Sequence, residues 1–313
     1  MRSIVLAVAA VAAVGACGGG AVLPVSDAPP ALVDAPPGVV DERVPTPTPS
    51  ADYLDLFTPE ETIAAGEEKQ LCVHLRNTKG ALAIDSVNGM QGVAGHHIAL
   101  FTSSHPQPPG TVVDCTSGDA NADMEWFAFN VDLPRGDAIQ IPENFPFVIQ
   151  FHYLNATDNT ILIRDVERLH VVPVSSVQTW ISTMILTDLQ LAVTPGASTV
   201  TWDCKLPADT NMIEQFGHMH DQGAAYSLQV GTDPNALTTL NTVSPWQPYY
   251  RDHPRVTQWF GTPQHYAAGT IMRTTCAWDN AKTNTLQYPD EMCITFAYIE
   301  SPTQYQCQPP TGP

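Results

Sequence analysis

The sequence is short of positive charge. Lys and Arg together number 13 in a chain of 313 residues, against 32 Asp and Glu. A surface this acidic repels the phosphates of nucleic acids and the headgroups of anionic lipids, so we expect no nucleic-acid partner. Charged residues make up 14% of the chain and hydrophobic residues 43%, which is typical of a globular protein, and the length allows two ordinary domains.

Long helices and membrane-spanning runs are also lacking. The 28 prolines argue against long helices, because an interior proline removes a hydrogen bond and clashes with the preceding turn. The apolar run at residues 4–14, which follows Arg2, is too short to span a bilayer as a stable helix. It leads into Val14-Gly15-Ala16-Cys17, a pattern that resembles a bacterial lipobox.

This pattern predicts that residues 1–17 are a lipoprotein signal peptide ending at the lipidated Cys17. An ordinary signal peptide with an incidental cysteine is the alternative. Gly18 rather than Asp follows the cysteine, which favours sorting to the outer membrane. We therefore expect a bacterial cell-envelope protein anchored only by its lipid, with its domains in the periplasm or at the cell surface. Residues 18–50, rich in Pro and Gly, are predicted to be an extended tether.

The sequence contains no CxxC pair, which argues against a zinc ribbon. Beyond Cys17 there are six cysteines: Cys72, Cys115, Cys204, Cys276, Cys293 and Cys307. An even number in an exported chain predicts three disulfides, and spacing alone leaves fifteen pairings open.

Short alternating stretches indicate strands. In residues 145–153 the odd positions are all apolar, whereas the opposite face carries Gln150 and His152. Similar strands are predicted at 96–101, 124–131, 161–163, 189–193, 199–204, 225–230 and 292–299, with one helix at 59–68. We predict an all-β chain of two consecutive antiparallel β-sandwich domains of the jelly-roll kind, at residues 51–174 and 175–313.

Histidines occur in three groups that suit a metal site. His96 and His97 are adjacent, so both reach one ion only at a strand end or bulge, which Gly95 makes easier. His152 stands on the polar face of its strand. His218 and His220 are two residues apart and share one face.

Each of these signals is weak alone, because single histidines are commonly structural. A fourth element is Met292, in Asp290-Glu-Met-Cys293; a methionine by itself is commonly core filler.

In their order along the chain these motifs resemble the copper type II, ascorbate-dependent monooxygenases, the family of peptidylglycine α-hydroxylating monooxygenase and dopamine β-monooxygenase. The matching pieces are the His-His pair, Ile149-Gln-Phe-His-Tyr153, His218-Met-His220 and Asp290-Glu-Met-Cys293. The resemblance covers residues 54–307. It implies two β-sandwich domains that each hold one copper ion.

The resemblance also implies roles for individual residues. His96, His97 and His152 would hold the electron-storing copper, with Gln150 beside them as a supporting residue. The catalytic set His218, His220 and Met292 would hold the copper that binds O2, since a thioether favours Cu(I). The implied disulfides are Cys72–Cys115, Cys204–Cys307 and Cys276–Cys293.

The resemblance stops at the substrate contacts of the amidating enzyme. Where that enzyme has an arginine, an asparagine and a tyrosine, this chain has Phe216, Ile294 and Phe296. The face around the second copper is therefore predicted to be apolar. We expect no peptide amidation and no substrate carboxylate anchored at these positions. A substrate of small-molecule or peptide-like kind remains unidentified.

The expected function is hydroxylation of a C–H bond with O2, two copper ions and ascorbate or another one-electron donor. One alternative is a copper-binding or copper-trafficking envelope lipoprotein without chemistry. Another is a structural or adhesive β-sandwich. Six intact ligand positions disfavour the first alternative. The retained Met292 disfavours the second, because packing accepts other apolar residues.

Overall fold

The computed structural model describes residues 34–116 and 123–309. Within those ranges the chain is built from strands and two short 3-10 helices, Val174–Ser176 and Pro248–Arg251, without an α-helix. The predicted all-β class is confirmed. The strands are β1 (Val39–Asp41), β2 (Tyr53–Phe57), β3 (Glu61–Ile63), β4 (Glu68–Arg76), β5 (Leu82–Met90), β6 (Gly95–Ser103), β7 (Val112–Asp114), β8 (Met124–Ala128), β9 (Val131–Asp132), β10 (Asp137–Ile141), β11 (Pro146–Leu154), β12 (Thr160–Ile163), β13 (Val166–Val172), β14 (Thr179–Thr187), β15 (Ala192–Val193), β16 (Gly196–Lys205), β17 (Thr210–His218), β18 (Gly223–Gly231), β19 (Thr238–Val243), β20 (Thr257–Gln258), β21 (Gln264–Tyr266), β22 (Ile271–Asn280), β23 (Leu286–Gln287), β24 (Ile294–Glu300) and β25 (Tyr305–Cys307).

One central sheet joins the first half of the fold (β1–β13) to the second half (β14–β25). Its main path runs β2-β13-β5-β10-β14-β24-β17-β20. The two halves meet where β10 pairs in parallel with β14. A five-stranded sheet, β7-β4-β11-β6-β8, belongs to the first half, and a four-stranded sheet, β16-β22-β18-β19, belongs to the second. The arrangement is a β-sandwich fold with mostly antiparallel pairing.

Side chains that alternate along β14 and β24 pack into two different hydrophobic cores. Ile181 and Ile185 of β14 enter the larger core, whereas Met184 and Leu186 enter the second one. This follows from the two-residue period of a strand in a sheet that is covered on both faces. The larger core contains residues of both halves. The division into independent domains at 174/175 therefore stays a prediction.

Strand β11 follows its sequence pattern. It lies between β4 and β6, and Phe147, Ile149, Phe151 and Tyr153 are at most 1% exposed in the larger core. The pairing with β6 shifts register between His152 and Tyr153, opposite His97 and Gly95. The bulge expected near Gly95 is thus present.

Three local predictions need correction. Residues 59–68 do not form a helix; they contain β3, which pairs with β12 and buries Ile63 to 1% exposure. Burial against a neighbouring strand outweighs local helix preference there. Only 192–193 of the predicted strand 189–193 is a strand, and the stretch 124–131 divides into β8 and β9.

The predicted tether is wrong for its last part. β1 pairs in parallel with β12, and Arg43 and Val44 are both 8% exposed. The Arg43 guanidinium binds Asp41 at 2.8 Å and Glu60 at 2.7 Å. Backbone hydrogen bonds and two ion pairs offset the conformational entropy that this proline-rich stretch loses when it becomes ordered. The signal peptide, Cys17 and residues 18–33 lie outside the described residues.

The three disulfides are Cys72–Cys115, Cys204–Cys307 and Cys276–Cys293, so the pairing implied by the resemblance is confirmed. Disulfides persist in oxidising compartments, which supports an extracytoplasmic location. Across the described ranges, none of the elements is a helix long and apolar enough to cross a membrane.

Removing the packed segment should destabilise the fold. A chain that begins at Ser50 loses β1 and Val44, and the guanidinium of the buried Arg164 loses its 2.7 Å bond to Thr46. Loss of one buried valine and one buried hydrogen bond lowers the free energy of unfolding by about 3 kcal/mol. Urea denaturation measures it, with a chain beginning at Gly38 as the control. Equal stability of the two chains would contradict this packing.

Candidate metal centre

Three imidazoles meet where two inner strands of the five-stranded sheet end, at the start of β6 and near the end of β11. His96 and His97 open β6, and His152 of β11 is the direct partner of His97. Their ring centroids are 4.9 to 5.7 Å apart. One ring nitrogen from each lies within 4.8 Å of the others. This spacing suits a metal ion bound by three imidazoles.

Hydrogen bonds on the outer side orient these rings. His152 Nε2 lies 2.9 Å from Glu68 Oε1, while its Nδ1 is buried without a hydrogen-bond partner. His97 Nε2 lies 3.2 Å from Gln150 Oε1, and its Nδ1 lies 3.4 Å from His96 Nδ1. Outer partners of this kind commonly fix metal-binding imidazoles. Gln150 lies beside His97, and Glu68 is a contact of His152 that the sequence did not indicate.

The second group lies at the end of the β17–β24 pair. His218 is the last residue of β17 and pairs with Ile294, the first residue of β24. Met292 lies two residues before Ile294 and lines the same cavity as His218 and His220. The rings of His218 and His220 are 5.2 Å apart. His220 Nδ1 lies 3.1 Å from the carbonyl oxygen of Asp290, which leaves Nε2 available. His218 Nδ1 is buried without a partner.

Glu291 connects the two segments of this second group. Its carboxylate is 0% exposed and accepts backbone N–H bonds from His220 (2.6 Å), Gln222 (3.1 Å) and Met292 (3.0 Å). Burial raises the pKa of Glu291, and the three bonds oppose that rise. Nothing in the local pattern marked this residue beyond its place in the motif, because two of its three partners, His220 and Gln222, lie about 70 residues away in sequence.

Both groups border one cavity of about 440 Å³, whose lining includes His97, His152, His218, His220 and Met292. Aromatic side chains, Trp126, Phe129 and Phe216, also line the cavity. The Trp126 ring centroid lies 6.3 Å from that of His218. The cavity thus forms between strands of both halves, and the two groups stand on its walls.

Burial holds His152, His218 and His220 in the neutral form. Burial and then the neighbouring His97 and His96 lower the pKa of His152 to about 4, opposed by Glu68. Burial lowers the pKa of His220 to about 4 and that of His218 well below its usual value. Neutral imidazoles at pH 7 are ready to donate lone pairs to a metal.

Arg251 and Asp252 reach from the second half to the three-imidazole group. Arg251 Nη2 lies 2.9 Å from His96 Nδ1, and its Nη1 lies 3.3 Å from Asp221, beside His220. Asp252 is 3.4 Å from both His96 and His97. Although burial raises its pKa, His97 and Arg251 lower it to about 2, so this carboxylate is ionised.

Comparisons with known proteins add little. No family model and no curated protein matches the chain. Among solved structures, the major capsid protein P2 from bacteriophage PM2 is 7% identical with a TM-score of 0.30, over 79% of this chain and 97% of that chain. N-glycanase F (PNGase F) is 10% identical with a TM-score of 0.31, over 82% and 98%. Similarities this low do not indicate a shared function.

Replacing Glu291 should destabilise the backbone that holds the second group. In Glu291→Gln the amide keeps one acceptor oxygen but cannot serve three buried N–H groups as a carboxylate does, so the free energy of unfolding falls by about 2 to 3 kcal/mol. Guanidinium denaturation measures this change. The control is Glu143→Gln, an exposed position that loses the same charge. Equal effects of the two changes would show that the Glu291 bonds contribute nothing.

Proposed function

We propose that this protein is a copper-dependent monooxygenase, which hydroxylates a C–H bond with O2 and an external reductant such as ascorbate. The observation that carries the proposal is the gathering of two unlike ligand groups around one cavity. The reaction balances as R–H, O2, two electrons and two protons giving R–OH and water. The reductant supplies both electrons, and the water takes the second oxygen atom.

The donor atoms fit two copper ions. Imidazole nitrogens accept both copper oxidation states, and the thioether of Met292 favours Cu(I). The buried, unpartnered Nδ1 atoms of His152 and His218 are polar atoms that a metal-free function leaves unexplained. His96, His97 and His152 would hold one ion, and His218, His220 and Met292 the other. Bound copper supplies one-electron redox chemistry and activation of O2.

Side chains around the proposed ligands hold them in position for this chemistry. Glu68 and Gln150 hold two imidazoles in place, and Glu291 fixes the backbone on both sides of the second group. Preorganised ligands favour a reactive site.

The substrate is proposed to be apolar near the second group. Phe216 is 1% exposed, lines the cavity, and stacks on Phe296 at 4.8 Å. Ile294 is 2% exposed in the same core. No side chain at these three positions is cationic, so a peptide carboxylate finds no partner there. This supports the expectation that glycine-extended peptides are not amidated.

We further propose that Cys17 carries a lipid that anchors the protein to the bacterial envelope, on the outer membrane. The support is the lipobox-like pattern together with three disulfides, which need an oxidising compartment. Because residues 39–41 pair with β12, they do not belong to the proposed tether.

Copper binding tests the ligand assignment. We expect two equivalents of copper on the wild type and one on His218→Ala, because the two groups share no ligand. Met292→Ala should keep Cu(II) but bind Cu(I) at least tenfold more weakly, since the soft donor is lost. Metal analysis after dialysis and competition with a Cu(I) chelator measure both quantities.

Oxygen consumption then separates the enzyme from a copper carrier. Copper-loaded protein with ascorbate should consume O2 slowly even without substrate, and His218→Ala should not. Two bound copper ions without any O2 consumption would favour the copper-binding or trafficking alternative. One equivalent or none in the wild type would contradict the proposed ligand groups.

The contact of Arg251 with His96 predicts competition with the metal. In Arg251→Gln the three-imidazole group should bind copper at least tenfold more tightly, because a positive charge that touches a ligand is removed while Asp252 remains. Chelator competition in a His218→Ala background measures this group alone. Arg255→Gln, an exposed position four residues away, is the matched control. Unchanged affinity would show that Arg251 does not oppose the ion.

A further inference from the structure

Two of the three imidazoles follow directly after a short loop. Residues 91–94 join β5 to β6, and His96 and His97 come immediately after Gly95, the first residue of β6. The loop is a tight turn, because the N–H of Gly95 donates to the carbonyl oxygen of Gly92 at 2.9 Å. The backbone that precedes the two histidines determines where their rings lie, so contacts that fix this loop also fix two proposed ligands.

Two buried side chains hold the start of the loop. Tyr153 and Asp165 are both 0% exposed, and the Tyr153 hydroxyl donates to the Asp165 carboxylate. The same hydroxyl accepts the N–H of Gly92 at 3.1 Å, and Asp165 Oδ2 accepts a 3.2 Å bond from Gln91 Nε2. The backbone N–H of Asp165 donates in turn to the Thr58 hydroxyl at 2.8 Å. The start of the loop is therefore anchored to the interior of the first half.

The N-terminal segment holds the end of the loop. Glu42 Oε2 accepts the backbone N–H of Ala94 at 2.9 Å, one residue before Gly95. A Cβ atom on Gly92 would collide with the carbonyl oxygen of Glu42, so the two backbones approach as closely as only glycine allows. Glu42 is itself fixed, because its N–H donates to the carbonyl oxygen of Leu162 at 2.9 Å, directly after the pairing of β1 with β12.

We propose that Glu42 is a positioning residue of the three-imidazole group, which makes residues 39–42 part of the metal centre. Glu42 acts through the backbone of Ala94, two residues before His96. A loop that is already held at both ends loses less conformational entropy when the ion binds. The inference rests on the proposed function for its copper measurement, whereas the hold on the loop is testable in the metal-free chain.

Copper affinity at each group separately tests the proposal. On the full chain, Glu42→Ala should weaken Cu(I) binding at the three-imidazole group about 10- to 100-fold, the usual effect of losing an outer partner. Glu42→Gln keeps an acceptor oxygen for Ala94 without the charge, so its affinity should stay within about fivefold of the wild type. Chelator competition in a His218→Ala background measures this group. A His97→Ala background measures the other group, whose affinity should not change. Glu143→Ala, which removes an exposed acid, is the control and should affect neither group.

Hydrogen exchange tests the hold on the loop without copper. The amides of residues 91–97 should exchange about tenfold faster in Glu42→Ala than in the wild type, because the N–H of Ala94 loses its acceptor. Glu42→Gln should exchange nearly as slowly as the wild type. Gly92→Ala pushes the loop away from the segment while Glu42 is intact, and it should reproduce both the faster exchange and the weaker copper binding.

The outcomes separate the two proposals. Faster exchange with weaker copper binding at the three-imidazole group alone supports the inference. Equal weakening at both groups, or an equal loss in Glu42→Gln, would overturn it, because general destabilisation or charge would then be the cause. Faster exchange with unchanged affinity, or no change in either, would also overturn it and leave the monooxygenase standing. A wild type that binds no copper would contradict the monooxygenase. Exchange alone would then decide: the tenfold increase supports the hold on the two histidines, and its absence overturns it.

Discussion

The antiparallel pairing of β17 with β24 is the constraint on which the rest of the site depends. It places His218 opposite Ile294, two residues beyond Met292, so the second ligand group forms where the pair ends. In the middle it stacks Phe216 on Phe296. At the other end it sets Glu214 beside Tyr298, whose hydroxyl lies 2.9 Å from the backbone nitrogen of Phe129 in the first half. A shift of one residue would turn these side chains to the opposite face.

The charges in the site are determined by the burial of histidines that lack enough acidic partners to keep them protonated. Burial lowers the pKa of His152, His218 and His220, so these imidazoles are neutral at pH 7. Acidic groups then dominate the field, with Arg251 between the two ligand groups as the counter-charge. A metal ion bound to His96 would supply the positive charge that Arg251 supplies here. Arg251 thus contacts a histidine of one ligand group and also Asp221, in the loop beside the other group.

Much of the site was predictable because its signals are local. The alternation of β11 follows from the period of a strand, and the register shift opposite Gly95 from the adjacent histidines there. The disulfide pairing was predictable only through the family resemblance, since spacing left fifteen possibilities. Glu42, Glu68 and Arg251 were missed, because their importance arises from contacts across the fold that no local pattern encodes. The packing of β1 was missed because its proline-rich composition is typical of a tether.

The cavity favours the proposed catalysis over copper carriage. A copper carrier needs one accessible site from which a partner can withdraw the ion, and an aromatic wall or a buried acid adds nothing to that task. Here two unlike donor groups border the same cavity, and Phe216 and Glu214 of β17 also line it. A buried carboxylate lowers stability unless something binds it. Proteins retain such a feature where a ligand offsets its unfavourable free energy, which favours the proposed ligand site in this cavity.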